Sequence, residues 1–250
     1  MTYALRSADG TVTEAARVTE VIRDVLAPSD DLDRWRLRRV VTLSAAHRIS
    51  ADAAIRLMQS DRTSAARGLH VHAWIAATLR TQRAPSLTPS EEPFTRQWSR
   101  WRDAHPWPVH CIEQTVTTRD SPVVAGTFDA QLIDETGRRW LYDWKTVTTI
   151  PPTAHVDHVA QLGAYATLRD AVESDGTVTV RLNPCDRAAV VYLSVGALMT
   201  AEVNLVIARR IWRSVLSLWH DKQAVSSPRA AVPDCGSSSD QGRPLGATRP

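Results

Sequence analysis

Apolar residues recur three and four positions apart from Thr13 to about Met58, as in VTEVIRDVL and RWRLRRVVTLSAAHRI, with APSDD between them as a loop and helix start. The pattern predicts helices, preceded by a flexible N-terminus over residues 1–12. A further helix is expected over RGLHVHAWIAATLR, residues 67–80, followed by the polar, Pro-containing linker TQRAPSLTPSEEP and a helix in FTRQWSRWRDAH that stops before Pro106. Residues 13–105 thus read as a helical N-terminal lobe.

Beyond Pro106 the pattern changes. HCIEQTVTT, VVAGTFDAQLID and RRWLYDWKTVTTI are rich in Val, Thr, Ile and aromatics and are bounded by turn residues, so they predict three consecutive strands. HVDHVAQLGAYATLRDAV predicts a helix, TVTVRL and AAVVYLSVG two more strands, and TAEVNLVIARRIWRSVLSLWHDK one long amphipathic helix. The order implies an α+β fold: helices, a mixed or antiparallel sheet, and helices packed on it. From Gln223 onward the chain is rich in Ser, Pro and Gly without periodicity, which predicts a disordered tail over residues 223–250.

Composition narrows this picture only slightly. At 250 residues with 43% hydrophobic content the chain is long enough to bury a substantial core in a single domain, residues 13–222. A formal net charge of +3 and a pI near 9.0 are compatible with a polyanionic partner. Cys111, Cys185 and Cys235 are far apart and form no ligand pair. The N-terminus lacks the apolar segment of a signal peptide and no run of about 18 apolar residues occurs, so a soluble, cytoplasmic protein without a membrane partner is expected. Arg34, Arg36, Arg38 and Arg39 crowd one stretch that reads either as a solvated face or as a phosphate-contacting one.

Candidate chemistry begins at LYDWKT. Of 30 Lys plus Arg residues only Lys145 and Lys222 are lysines, and Lys145 stands two residues after Asp143. On a strand the two side chains share a face and Trp144 takes the other. If Glu135, Thr136 and Gly137 form the hairpin tip with Gly137 in the left-handed region, Asp134 pairs with Arg138. Counting back then sets Asp129 opposite Asp143. Two carboxylates with Cβ atoms roughly 4.5–5.5 Å apart repel unless something positive sits between them. A divalent cation such as Mg²⁺ relieves that conflict, and Lys145 adds an ammonium able to orient a water. The bland alternative is an ordinary Asp143–Lys145 ion pair with Asp129 at a strand end.

AGTFD, then LYDWKT after a short hairpin, then QLGAY on the next helix, with RGLHVH upstream, together resemble the RecB-like branch of the PD-(D/E)XK nuclease superfamily, especially its phage-type and CRISPR-associated exonuclease relatives. The likeness spans about residues 13–222. It implies an α/β/α restriction-endonuclease-like core with a central mixed sheet, a catalytic β-hairpin and flanking helices. By position it implies His72, in the G-x-x-x-H step that opens at Gly68, as a metal ligand, with His70 only its neighbour. It implies Asp129 and Asp143 as metal-binding acids, Lys145 as the catalytic lysine, and Gln161 and Tyr165 as residues that buttress the site and address the nucleic-acid backbone. Glu113 sits where relatives often carry an acid near the metal. The implied cofactor is Mg²⁺ or Mn²⁺. The cysteine pattern departs from that of the iron–sulfur members, so no cluster is expected, and no P-loop accompanies the domain.

Three functions follow from the resemblance: a metal-dependent DNA exonuclease, with a single-strand annealing protein as a possible partner in recombination; a structure-specific or defence endonuclease; and a silent nucleic-acid-binding module. Trp98, Trp101 and Trp107 are read mainly as core, with base stacking as the other role. His155 and His158 are read as structural residues at a helix start.

Overall fold

The computed structural model describes residues 2–7, 9–26, 30–59, 62–118 and 123–226. Among these lie nine strands and seven helices, a mixed α/β architecture around one central mixed sheet. The chain opens with strands β1 (Tyr3–Arg6) and β2 (Val12–Arg17), which pair antiparallel. Residues 1–12 were expected to be flexible and Thr13 to begin a helix; instead both segments carry strands. VTEAAR has helix-compatible spacing, but β2 adds parallel to a distant strand through Ala16 and Arg17, a tertiary contact that local periodicity does not report.

Helices α1 (Val18–Val25), α2 (Asp30–His47), α3 (Ala51–Gln59), α4 (Arg62–Leu79) and α5 (Glu92–Ala104) follow. The side chains of Arg34, Arg36, Arg38 and Arg39, and the tail from residue 227 on, lie outside the described residues. Strands β3 (Val109–Thr117), β4 (Val124–Ile133) and β5 (Arg139–Thr146) form the expected antiparallel meander, and α6 (Val156–Thr167) follows. The helix stops earlier than its apolar pattern suggests: Asp170–Val172 is strand β6, paired with β3, and β7 (Val178–Arg181) pairs with β6. Strand β8 (Arg187–Leu193) runs parallel to β5.

The last predicted helix also divides. Leu198–Val203 is strand β9, and α7 runs Leu205–Ser226, so it extends into the segment expected to be disordered. Asn204 marks the break. Its Oδ1 accepts the N–H groups of Val206 and Ile207 at 3.0 and 3.2 Å, satisfying donors that a helix start leaves open. The strand order is β7-β6-β3-β4-β5-β8-β9, with β2 beside β4.

Each face of the sheet is covered. Val18, Val21 and Ile22 of α1, Leu162 and Tyr165 of α6, and Trp212 of α7 pack on one side with Val190 and Tyr192. Val71 and Ile75 of α4 and Phe94, Trp98 and Trp101 of α5 pack on the other with Tyr142 and Trp144. Trp98 and Trp101 are 1% exposed, so they are core and have no surface on which a base could stack. No helix among the described residues is long and apolar enough to cross a membrane.

Candidate metal and phosphate site

The hairpin joining β4 to β5 sets the geometry. Gly137 adopts φ +82°, the Gly137 N–H reaches Asp134 O and the Asp134 N–H reaches Arg138 O, both at 3.0 Å. The Asp134 carboxylate gathers the N–H groups of Thr136 and Arg138, the Thr136 hydroxyl and the Trp140 indole N–H, which holds it far below the ordinary carboxyl range. From this tip the pairs run Ile133↔Arg139 to Ala130↔Tyr142. Extending the register by one step sets Asp129 opposite Asp143.

There the sheet forks. Strand β4 pairs with β5 only from Ala130 onward, while its start at Val124 and Ala125 pairs with β2 on the same side. Asp129 stands where the two neighbours part. The Trp144 N–H, deprived of a ladder partner on β4, donates to Asp129 Oδ2 at 2.7 Å. Side-chain alternation is also reset here: Val124 and Phe128 pack with α1 and α6, whereas Ala130 and Leu132 pack with α4 and α5.

On the other side of β4, Ile112↔Ala130 and Gln114↔Phe128 leave Glu113 opposite Asp129. Glu113 has φ +50°, an uncommon conformation for a residue with a side chain and a local strain of the kind that concentrates at functional sites. Three carboxylates, Glu113, Asp129 and Asp143, therefore form one row across three adjacent strands. His72 reaches the row from α4, its Nδ1 3.2 Å from Asp129 Oδ1. Donor atoms of His72, Glu113 and Asp129 all lie within 4.8 Å of one another, a spacing that suits a shared cation. Gly68, one turn before His72, lets α4 approach β5: a Cβ there would stand 3.1 Å from Thr146 Oγ1.

The remaining site candidates form a second chain of contacts. Lys145 Nζ lies 2.6 Å from Asp143 Oδ2 and donates to Gln161 Oε1 at 3.1 Å, and Gln161 Nε2 donates to the Tyr165 hydroxyl at 2.9 Å. Gln161 and Tyr165, four apart on α6, share the face turned to β5. Gly126 leaves room for this arrangement, since a Cβ on it would come within 2.6 Å of Tyr165 Cε1. His70 takes no part in the row: its Nδ1 pairs with Glu91 Oε1 at 2.8 Å.

Charge and burial oppose one another throughout. Burial raises the Asp143 carboxyl to about 6; Lys145 pulls it down and Asp129 pushes it further up. Burial, then the Asp129 charge, raises Glu113 to about 7. Burial disfavours the His72 imidazolium, but the charge and hydrogen bond of Asp129 outweigh it and raise His72 to about 9. Lys145 stays protonated because Asp143 and Asp129 outweigh its burial. The row holds more negative charge than its own cations neutralise comfortably.

Sequence reasoning paired Asp129 with Asp143 but could not foresee that Glu113 faces Asp129 directly. That depends on the register between β3 and β4, constant from Cys111↔Gln131 to Thr117↔Ala125, which no tight-turn signature in the sequence between the two strands fixes. It also missed Tyr192, whose hydroxyl accepts the His155 N–H at 3.1 Å and meets His158 Nδ1 at 2.8 Å beside Lys145.

No family model matches the chain, and no curated protein matches it. Among solved structures, that of SSO0001 is similar over 86% of each chain, with 14% sequence identity and a TM-score of 0.39. A likeness that weak supports no argument about function.

Proposed function

We propose that the protein is a metal-dependent nuclease that hydrolyses DNA phosphodiester bonds, acting as an exonuclease with the PD-(D/E)XK arrangement its motifs resemble. The row Glu113–Asp129–Asp143 at the fork, with His72 above it and Lys145 beside it, carries this reading. A row of acids set face to face weakens a sheet, so its presence calls for a cation.

His72, Asp129 and Glu113 would hold Mg²⁺ or Mn²⁺, with Asp143 at the edge of the same site. The bound ion supplies Lewis-acid stabilisation of charge on the phosphoryl oxygens and lowers the pKa of water. Asp129 fixes the His72 ring through Nδ1 and fixes β5 through the Trp144 N–H, so one carboxylate orients both a ligand and the strand bearing Asp143. Lys145, held between Asp143 and Gln161, keeps an ammonium where it can hydrogen-bond an attacking water or a non-bridging oxygen. Tyr165 locks Gln161 and so limits the freedom of Lys145. Partners of this reading are DNA and, in recombination, a single-strand annealing protein.

The test offers end-labelled linear duplex, single-stranded DNA and closed circular plasmid to the protein in Mg²⁺, Mn²⁺ or EDTA, beside Lys145→Ala. Loss of linear DNA only with metal, survival of closed circles and a silent Lys145→Ala protein that still binds DNA are expected. Linearised circles would indicate an endonuclease. Survival of every substrate despite binding would leave a binding module.

A further inference from the structure

Helix α4 carries His72 into the acidic row and ends a little over two turns later, just before Arg80. The end is a Schellman turn: the Gln82 N–H reaches Ala77 O at 2.9 Å and the Thr81 N–H reaches Thr78 O at 3.1 Å. Thr81 stands at φ +55°, where glycine is the usual residue, and its hydroxyl donates to Arg80 O at 2.6 Å. Arg80 is thereby fixed as the capping residue of the helix. Its side chain, exposed to solvent, crosses to β3, where Nη2 donates to Ile112 O at 3.1 Å.

That carbonyl belongs to the peptide unit that ends in the Glu113 nitrogen. A peptide unit is planar, so a bond to its oxygen fixes the orientation of the whole unit. Relaxation of Glu113 from φ +50° to an extended φ turns this unit relative to the side chain, and the bond to Arg80 resists that turn. The left-handed residue also fits the register. Phe128 and Ala130 pack on opposite faces of the sheet and are the partners of Gln114 and Ile112, so β3 turns over at Glu113 as β4 does at Asp129. Strand β6 reaches β3 only at Thr115–Thr117, so among the described residues the stretch before it has a strand neighbour on one side alone. Just beyond Glu113, Gln114 Nε2 donates to Thr115 O and Val172 O at 2.9 and 3.2 Å. Glu113 is thus flanked by a residue tied to β6 and by one tied to Arg80. Burial and the Asp129 charge push the Glu113 carboxyl up to about 7, and the charges of His72 and then Arg80 oppose them.

We propose that Arg80 is a positioning residue of the cation site: its bond to the Ile112 carbonyl keeps Glu113 left-handed and so keeps that carboxylate turned towards His72 and Asp129. This role rests on the cation-site reading above. Charge alone predicts the opposite effect on the metal, since a guanidinium beside the row repels a divalent cation and its removal would tighten binding. Positioning predicts that binding weakens. A surface tie between α4 and β3 with no link to Glu113 predicts a change that does not depend on that carboxylate.

Mn²⁺ binding to the full chain, read from the loss of the free-ion electron paramagnetic resonance signal, is compared across wild type, Arg80→Ala, Glu113→Gln and the double variant. Arg80→Ala, a change at an exposed position, should weaken Mn²⁺ about tenfold, the effect of losing a partner that orients a ligand. In the Glu113→Gln background the same change should have no further effect, because the carboxylate it positions is gone. A crystal structure of metal-free Arg80→Ala should show the Glu113 carboxylate displaced from Asp129. Unaltered or tighter binding in Arg80→Ala, an equal loss in both backgrounds, or an unmoved Glu113 would overturn the proposal while the cation site stands. Failure of the wild-type protein to bind Mn²⁺ would overturn both.

Discussion

Asp129 is the residue on which the site turns, because three separate demands meet in its carboxylate: the His72 ring, the Trp144 N–H and the two flanking acids. Their protonation gives a measurable signature. Glu113 and Asp143, raised to about 7 and about 6, resist ionisation in the fold. Their contribution to the metal-free protein therefore worsens as pH rises from about 4 through those values. His72, raised to about 9, contributes stability that is complete below about 6.5 and is lost as pH rises through about 9. Asp129, lowered, contributes above about 3.9 and loses that only in acid. Above pH 5 the shifts of Glu113, Asp143 and His72 act in one direction. In EDTA the unfolding midpoint should fall between about pH 5.5 and pH 9. Mn²⁺ should restore about 5–10 °C at pH 8 when present at about a hundredfold over its Kd, and less at pH 5.5, where protons compete for the same oxygens. A midpoint that climbs across this range, or a metal effect larger in acid, would contradict the assignment.

At the scale of elements, the fork between β2 and β5 works only if α6 is held close to the sheet and to α7. Gly163 permits this. A Cβ at that position would lie 2.1 Å from the Ala208 carbonyl oxygen, which is backbone and cannot swing aside. Gly163→Ala should destabilise the protein by about 3 kcal/mol or more, read by denaturant unfolding, because the two helices must separate. Gly126→Ala tests the link between core and site: its Cβ would meet the Tyr165 ring at 2.6 Å as well as Val18 of α1 at 3.1 Å, and the displacement of Tyr165 passes through Gln161 to Lys145. Cleavage should drop by about tenfold or more while metal binding persists; unchanged turnover would show that Tyr165 does not position the lysine. The hairpin carrying Asp129 and Asp143 was legible in the sequence because Asp134 and Gly137 encode its turn chemistically. Strands β2, β6 and β9 were not: VTEAAR and DAV take partners far along the chain, LMTAEV folds back only on β8, and all three adjoin helices without Gly or Pro between. Asn204 was the one available cue for the last of these boundaries. Glu113 was readable as an acid near a strand start, but its place opposite Asp129 depends on a register that no tight turn announces.

For the molecule as a whole, apolar helices cover both faces of the sheet, and the acidic row lies where β4 parts from β2 and joins β5. A chain with net charge +3 that binds DNA through phosphates should show salt-sensitive affinity. Between about 50 and 200 mM salt, binding of Lys145→Ala to single-stranded DNA should weaken by about tenfold or more; an affinity indifferent to salt would remove phosphate contacts from the account. Whether the row at the fork is a cation site is decided by anomalous diffraction from crystals grown with Mn²⁺. A peak bounded by His72, Glu113 and Asp129, with Asp143 alongside, is expected, and it should vanish in Asp129→Asn. Clear density for these side chains with no peak among them would contradict it.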